Sequence, residues 1–142
     1  MTTERKFSVD VKPTQPGDII RITVESIPPS KIQELKKKAK DLTKNDVLEE
    51  VRSIVRENLG AFKDLQGGNP LDKDNLFMDQ GKRLVASIIA QRALGISQKK
   101  VRYAIKNLLM KTGSFSPIQA TDLTGTITGF FKEVGEGLPR NK

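Results

Sequence analysis

The chain contains no cysteine and no histidine among its 142 residues. Without cysteine it cannot form a disulfide or a thiolate metal site. Without histidine it lacks the most common general base and the most common metal ligand. No pair of its carboxylates stands in an apolar context that would separate their pKa values. We therefore expect a protein that is not an enzyme and has no catalytic residues, cofactor or metal site.

Aromatic residues make up only 5% of the chain, and long apolar runs are missing. No segment approaches the roughly 18 apolar residues of a membrane-spanning helix. The first residues show no apolar run of signal-peptide length. The absence of cysteine also fits a reducing compartment. These features predict a cytoplasmic protein without a membrane partner.

Basic residues outnumber acidic ones: the chain has 25 lysines and arginines and 17 aspartates and glutamates, which gives a net charge of +8. Nearly all of this excess lies in residues 73–111, where nine basic residues accompany two acidic ones. A local excess of positive charge predicts an anionic partner, and nucleic acid is the most common one.

Two N-terminal segments, residues 6–12 and 18–27, alternate apolar and polar side chains with the period of a β-strand. A loop containing proline and glycine separates them. We predict that residues 1–29 form a β-hairpin that is an appendage to a helical domain. Such a hairpin either packs on the helical core of its own chain, which is favoured, or contacts a second copy of the chain through its edges.

Residues 30–135 repeat apolar side chains at intervals of three and four residues, as amphipathic helices do. We predict a mostly α fold, with four or five helices in one domain after the N-terminal β-hairpin and a flexible tail at 136–142. We predict that residues 60–72 form a loop with one helical turn. The predicted helix N-caps are Ser30, either Thr43 or Asn45, either Asp72 or Asp74, Ser97 and Ser116.

The segment 117–134 permits two interpretations. Its apolar residues keep helical spacing, and Ser116, Pro117 and Gln119 form a helix start. Gly125, Gly129 and the threonines between them weaken the helix, so a short strand remains an alternative.

Residues 82–113 contain two helical patterns separated by the sequence Leu94-Gly95-Ile96-Ser97. The second predicted helix, 98–111, has an apolar inner face and an outer face without any acid. Guanidinium and amide groups suit base edges, and ammonium groups suit phosphates. We predict that the DNA-binding residues are Gln98, Lys99, Lys100, Arg102, Tyr103 and Lys106.

Residues 87–106 resemble the helix-turn-helix motif of the phage repressor and Cro-like families. The turn glycine of that pattern falls on Gly95, the apolar residue before it on Leu94, and small Ala104 lies where the second helix would cross the first. Gln91 stands where the family usually has a small residue. The resemblance implies that the helix at 98–111 faces the major groove.

The sequence therefore predicts a DNA-binding protein, for which transcriptional regulation is one role. We expect it to act as a homodimer, because one such helix reads only a few base pairs. DNA is favoured over RNA. Two alternatives stay open. One is a structural protein that coats nucleic acid in a virion, nucleoid or filament, and the other is a helical protein–protein adaptor with incidental charge.

Overall fold

A computed structural model of the chain describes residues 18–66, 68, 72–112 and 115–138. These residues contain helices and no strand, which confirms the mostly α prediction for the described part of the chain. Seven helices occur in it rather than four or five. They are α1 Asp18–Glu25, α2 Pro29–Ala39, α3 Lys44–Glu57, α4 Leu59–Gln66, α5 Lys73–Leu94, α6 Gln98–Lys111 and α7 Pro117–Gly137.

Helix α1 lies within the segment for which the sequence predicted the second hairpin strand (18–27), so Asp18–Glu25 are helical rather than extended. The first predicted strand, 6–12, lies outside the described residues. Ile20, Val24 and Ile27 are spaced four and three residues apart, and each is at most 1% exposed. Packing of this stripe against the other helices outweighs the small helix-propensity cost of β-branched side chains.

The core is organised around α5, which packs against α1, α2, α3 and α7. Its apolar residues Leu84, Val85 and Ile89 are buried in a cluster that all seven helices share. Helix α1, predicted as part of an appendage, thus belongs to this common core. Helix α6 packs mainly against α3 and α7, which leaves one of its faces toward the outside.

Four helices begin at the predicted N-caps. The side chain of Thr43 accepts from the backbone N–H of Asp46, and that of Ser116 accepts from the backbone N–H of Gln119. Asp72 and Ser97 cap α5 and α6 in the same way. The predicted cap at Ser30 is wrong: α2 begins at Pro29, follows Pro28, and has no side-chain cap.

Residues 117–134 are helical, because α7 passes through Gly125 and Gly129 without a break. Its apolar stripe, which includes Leu123 and Ile127, is buried. The helix continues to Gly137, and Leu138 is buried as well, so the start of the predicted tail (136–142) is part of the packed structure. Residues 139–142 lie outside the described part.

Candidate nucleic-acid interface

The turn between α5 and α6 is defined by two backbone hydrogen bonds. The N–H of Ile96 donates to the carbonyl of Gln91 at 2.9 Å, and the N–H of Gly95 donates to the carbonyl of Arg92 at 3.3 Å. This is the Schellman arrangement, in which glycine takes a left-handed conformation, and Gly95 has a φ of 68°. Since Ile96 is buried and Ser97 caps α6, the start of α6 is fixed relative to α5.

The inner face of α6 is part of the core. Val101, Ala104, Ile105 and Leu109 are all buried, and α3 and α7 provide the helices against which they pack. The resemblance implied a close crossing of α6 on α5 at Ala104, but the main helical neighbours of α6 in the described residues are α3 and α7. Gln91 is 5% exposed, and its Nε2 donates to Ser87 Oγ at 3.3 Å within α5.

The six predicted site residues lie on the surface of α6, but they do not form one cluster. Successive helical residues are about 100° apart, which places Lys99, Tyr103 and Lys106 within about 60° of one another. Tyr103 is 69% exposed, and Lys106 is half-buried. Lys100 lies about 160° around the helix from Arg102, so these two flank the outward face on opposite sides.

Gln98 and Arg102 differ from the other predicted residues because they also line a cleft between α5, α6 and α7. Sequence reasoning missed this cleft. The four-residue spacing of Gln98 and Arg102, and of Gly125 and Gly129, placed each pair on one side of its helix. Only the packing of α7 beside α6 reveals that the two pairs face the same space.

The positive charge of α6 is not neutralised by ion pairs among the described residues. The helix contains no acid, and within the described residues none of its cations has an ion-pair partner. These cations are Lys99, Lys100, Arg102, Lys106 and Lys111. Their charge is therefore available to an external anion.

Arg83, by contrast, belongs to the same basic stretch of sequence but is neutralised within the protein. Its Nε and Nη2 donate to the two carboxylate oxygens of Glu50 at 2.9 and 3.2 Å, and its Nη1 donates to Glu57 at 2.7 Å. These bonds raise the pKa of Arg83 above its ordinary value. The pKa of Glu57 is lowered, mainly by the hydrogen bond that Arg83 donates to it and next by the one that Ser53 donates. Arg83 is therefore a structural cation.

Within the described ranges, no helix is long and apolar enough to cross a membrane, and no group of three or more acidic side chains could hold a metal ion. Comparison of the chain with protein-family models, with curated proteins and with solved structures finds no match.

Proposed function

We propose that this protein binds nucleic acid, with double-stranded DNA favoured over RNA, through the outward face of α6. The observation that carries the proposal is the set of five cations on one helix that lacks acids and ion-pair partners among the described residues. Phosphate contacts from lysine and arginine supply most of the affinity of such an interface. Gln98 and Arg102 have side chains that can also hydrogen-bond base edges.

The distribution of charge around α6 fits a helix that lies in the major groove between the two phosphate backbones. The major groove of B-DNA is about 12 Å wide and admits an α-helix, whereas the deep, narrow major groove of A-form RNA does not. Arg102 and Lys100 flank the outward face on opposite sides, and Lys99, Tyr103 and Lys106 lie between them. A regulator that reads a specific site this way would act as a homodimer, since one helix covers only a few base pairs.

A second candidate is a protein that coats nucleic acid through contacts between its copies. Exposed apolar side chains favour this alternative: Ile118 at the start of α7 is 75% exposed, and Met110 near the end of α6 is 41% exposed. Cooperative binding that grows with duplex length and ignores sequence would select the coating protein. Non-cooperative binding that prefers one selected sequence would select the regulator.

The double substitution Lys99→Ala/Lys106→Ala tests the proposed face. Each lost phosphate contact reduces the slope of log affinity against log salt by about 0.9, so the slope should fall by up to about 1.8. Fluorescence anisotropy with a labelled duplex at several salt concentrations measures this change. If all five α6 cations contact phosphates, the affinity of the unmodified protein should drop by roughly 500-fold between about 50 and 200 mM salt.

The matched control is Lys37→Ala/Lys40→Ala, two exposed lysines at the C-terminal end of α2 and just after it, which removes the same charge elsewhere. We expect the control to bind with a nearly unchanged slope. Equal losses in both variants would mean that binding follows total charge rather than α6. Absence of binding at low salt would refute the nucleic-acid proposal and favour the adaptor.

A further inference from the structure

The cleft beside α6 has the size of a small-molecule site. It encloses about 450 Å³ between the C-terminal end of α5, the start of α6 and α7. Ligand sites in proteins usually measure roughly 300–1,000 Å³ and combine an apolar lining with a few polar groups. Ile88, Ile96 and Phe131 provide the apolar lining here.

The polar groups of the cleft carry an excess of positive charge. Three cations, Arg92, Arg102 and Lys132, line it together with one acid, Glu136. Lys132 and Glu136 lie 4.0 Å apart in a weak, exposed pair. Arg92 is held in position because its Nη2 donates to the carbonyl of Gly135 at 2.7 Å. Since Arg102 has no acidic partner among the described residues, its guanidinium can bind an anion in the cleft.

One wall of the cleft is open helix backbone. Gly125 and Gly129 of α7 line the cleft, and a Cβ added at either position would meet no atom of the described structure within 4 Å. Glycine is less favourable than alanine inside a helix, and no neighbouring side chain requires its small size here. The two glycines therefore leave space in which an occupant can approach the helix backbone closely.

We propose that this cleft binds a small organic anion with one or two negative charges on an apolar body. Arg102 and Lys132 bind the anionic group. The apolar body lies against Ile88, Ile96 and Phe131, beside the backbone at Gly129. The charge excess favours an anion over a neutral ligand, and the apolar lining favours an organic anion over an inorganic one. The cleft and its charges are present whether or not α6 binds nucleic acid, although Arg102 belongs to both surfaces.

Phenyl phosphate is a suitable probe because it joins a dianion to an aromatic ring. In a titration followed by two-dimensional NMR, we expect saturable shifts confined to backbone amides near Gln98, Arg102 and Gly129. Inorganic phosphate and phenol, which each supply one half of the probe, should bind more weakly. Arg102→Gln should weaken phenyl phosphate binding by about tenfold or more, as expected for the loss of a charge-assisted hydrogen bond.

Gly129→Leu tests the space itself, since its side chain would fill the cleft without meeting a neighbour at Cβ. We expect this variant to fold and to lose phenyl phosphate binding. Gly60→Leu is the matched control, because Gly60 is also a helical glycine with open space around it and does not line the cleft. The control should bind normally.

Three results would overturn the proposal. One is the absence of saturable shifts with phenyl phosphate. Another is an unchanged affinity in Gly129→Leu. The third is a set of shifts that spreads equally over the α2 lysines, which would indicate unspecific attraction of an anion to a basic protein. The affinity of Gly129→Leu for duplex DNA is measured separately. It reports on the α6 interface alone, so a wrong proposal for the cleft can be distinguished from a wrong proposal for nucleic-acid binding.

Discussion

Replacing Gly125 and Gly129 by alanine should stabilise the protein, although both glycines lie in the middle of its second-longest helix. The added methyl groups meet no atom within 4 Å in the described structure. Alanine is more favourable than glycine in a helix interior by about 0.8–1.0 kcal/mol. If the two gains add, the double variant should gain about 2 kcal/mol in the free energy of unfolding.

For a chain of this size, a gain of about 2 kcal/mol corresponds to an increase in Tm of roughly 4–8 °C. Thermal unfolding followed by circular dichroism measures the shift in Tm. Urea unfolding measures the free energy independently, and an unchanged m-value would show that the surface exposed on unfolding is the same.

Two other glycines of α7, Gly135 and Gly137 near its C-terminal end, provide the contrasting control, since alanine would meet close neighbours at both. A Cβ at Gly135 would lie 3.0 Å from Arg92 Nη2 and 3.3 Å from Ile88 Cγ2, and one at Gly137 would overlap Val24 Cγ2. Overpacking of this kind typically costs about 1–3 kcal/mol. We expect Gly135→Ala and Gly137→Ala to be neutral or destabilising.

A loss of stability in Gly125→Ala/Gly129→Ala would refute this reasoning. It would show that another part of the chain or a second copy packs closely on that wall of α7. Stabilisation of Gly135→Ala by as much as Gly125→Ala would show that α5 and α7 are packed more loosely than the Arg92 contact implies.

Two further substitutions test the charged and the buried sides of the fold. Arg83→Gln should lower stability by up to about 1 kcal/mol near neutral pH through the loss of its two-oxygen contact with Glu50, and the bond to Glu57 is lost as well. The pKa of Glu57 is lowered in the folded state, so its contribution is present above the ordinary carboxyl pKa and is lost as the pH falls through the folded value. Urea unfolding should thus show the difference between wild type and variant shrinking below about pH 4, and a difference that is constant with pH would contradict this account. Ile105→Ala should lower the free energy of unfolding by about 2–5 kcal/mol, because Ile105 is fully buried. Tyr103→Ala should change it by less than about 0.5 kcal/mol, because Tyr103 is exposed. A large loss of stability at Tyr103 would show that the outward face of α6 is covered.

Four helix starts could be predicted because the signals that set them are local. Thr43, Asp72, Ser97 and Ser116 each accept from a backbone N–H three residues away, so a few residues of sequence determine the cap. The same locality explains the error in α1. Its apolar residues fit both a strand and a helix, and only burial against the rest of the core, which is not local, decides between them.

The number and position of the positive charges could be predicted from the sequence, but not which of them are paired with acids inside the protein. The sequence counts Arg83 and the α6 cations alike, yet the pairing of Arg83 with Glu50 crosses 33 residues of chain. Lys73 is likewise paired with Glu133, at 2.9 Å and 60 residues away. Ion pairs between distant residues depend on which helices pack together, so only the folded chain separates the neutralised cations from the available ones.

Arg102 is the charged side chain that both the α6 interface and the cleft would use. It lines the cleft, and it also flanks the outward face of α6. A guanidinium bound to a small anion in the cleft is no longer available to a phosphate of the duplex, which would remove one contact and reduce the salt slope by about 0.9. By thermodynamic reciprocity, the duplex would weaken binding of the small anion by the same factor. A small anion in the cleft would then regulate nucleic-acid binding directly, through competition for one arginine, without any change in the fold.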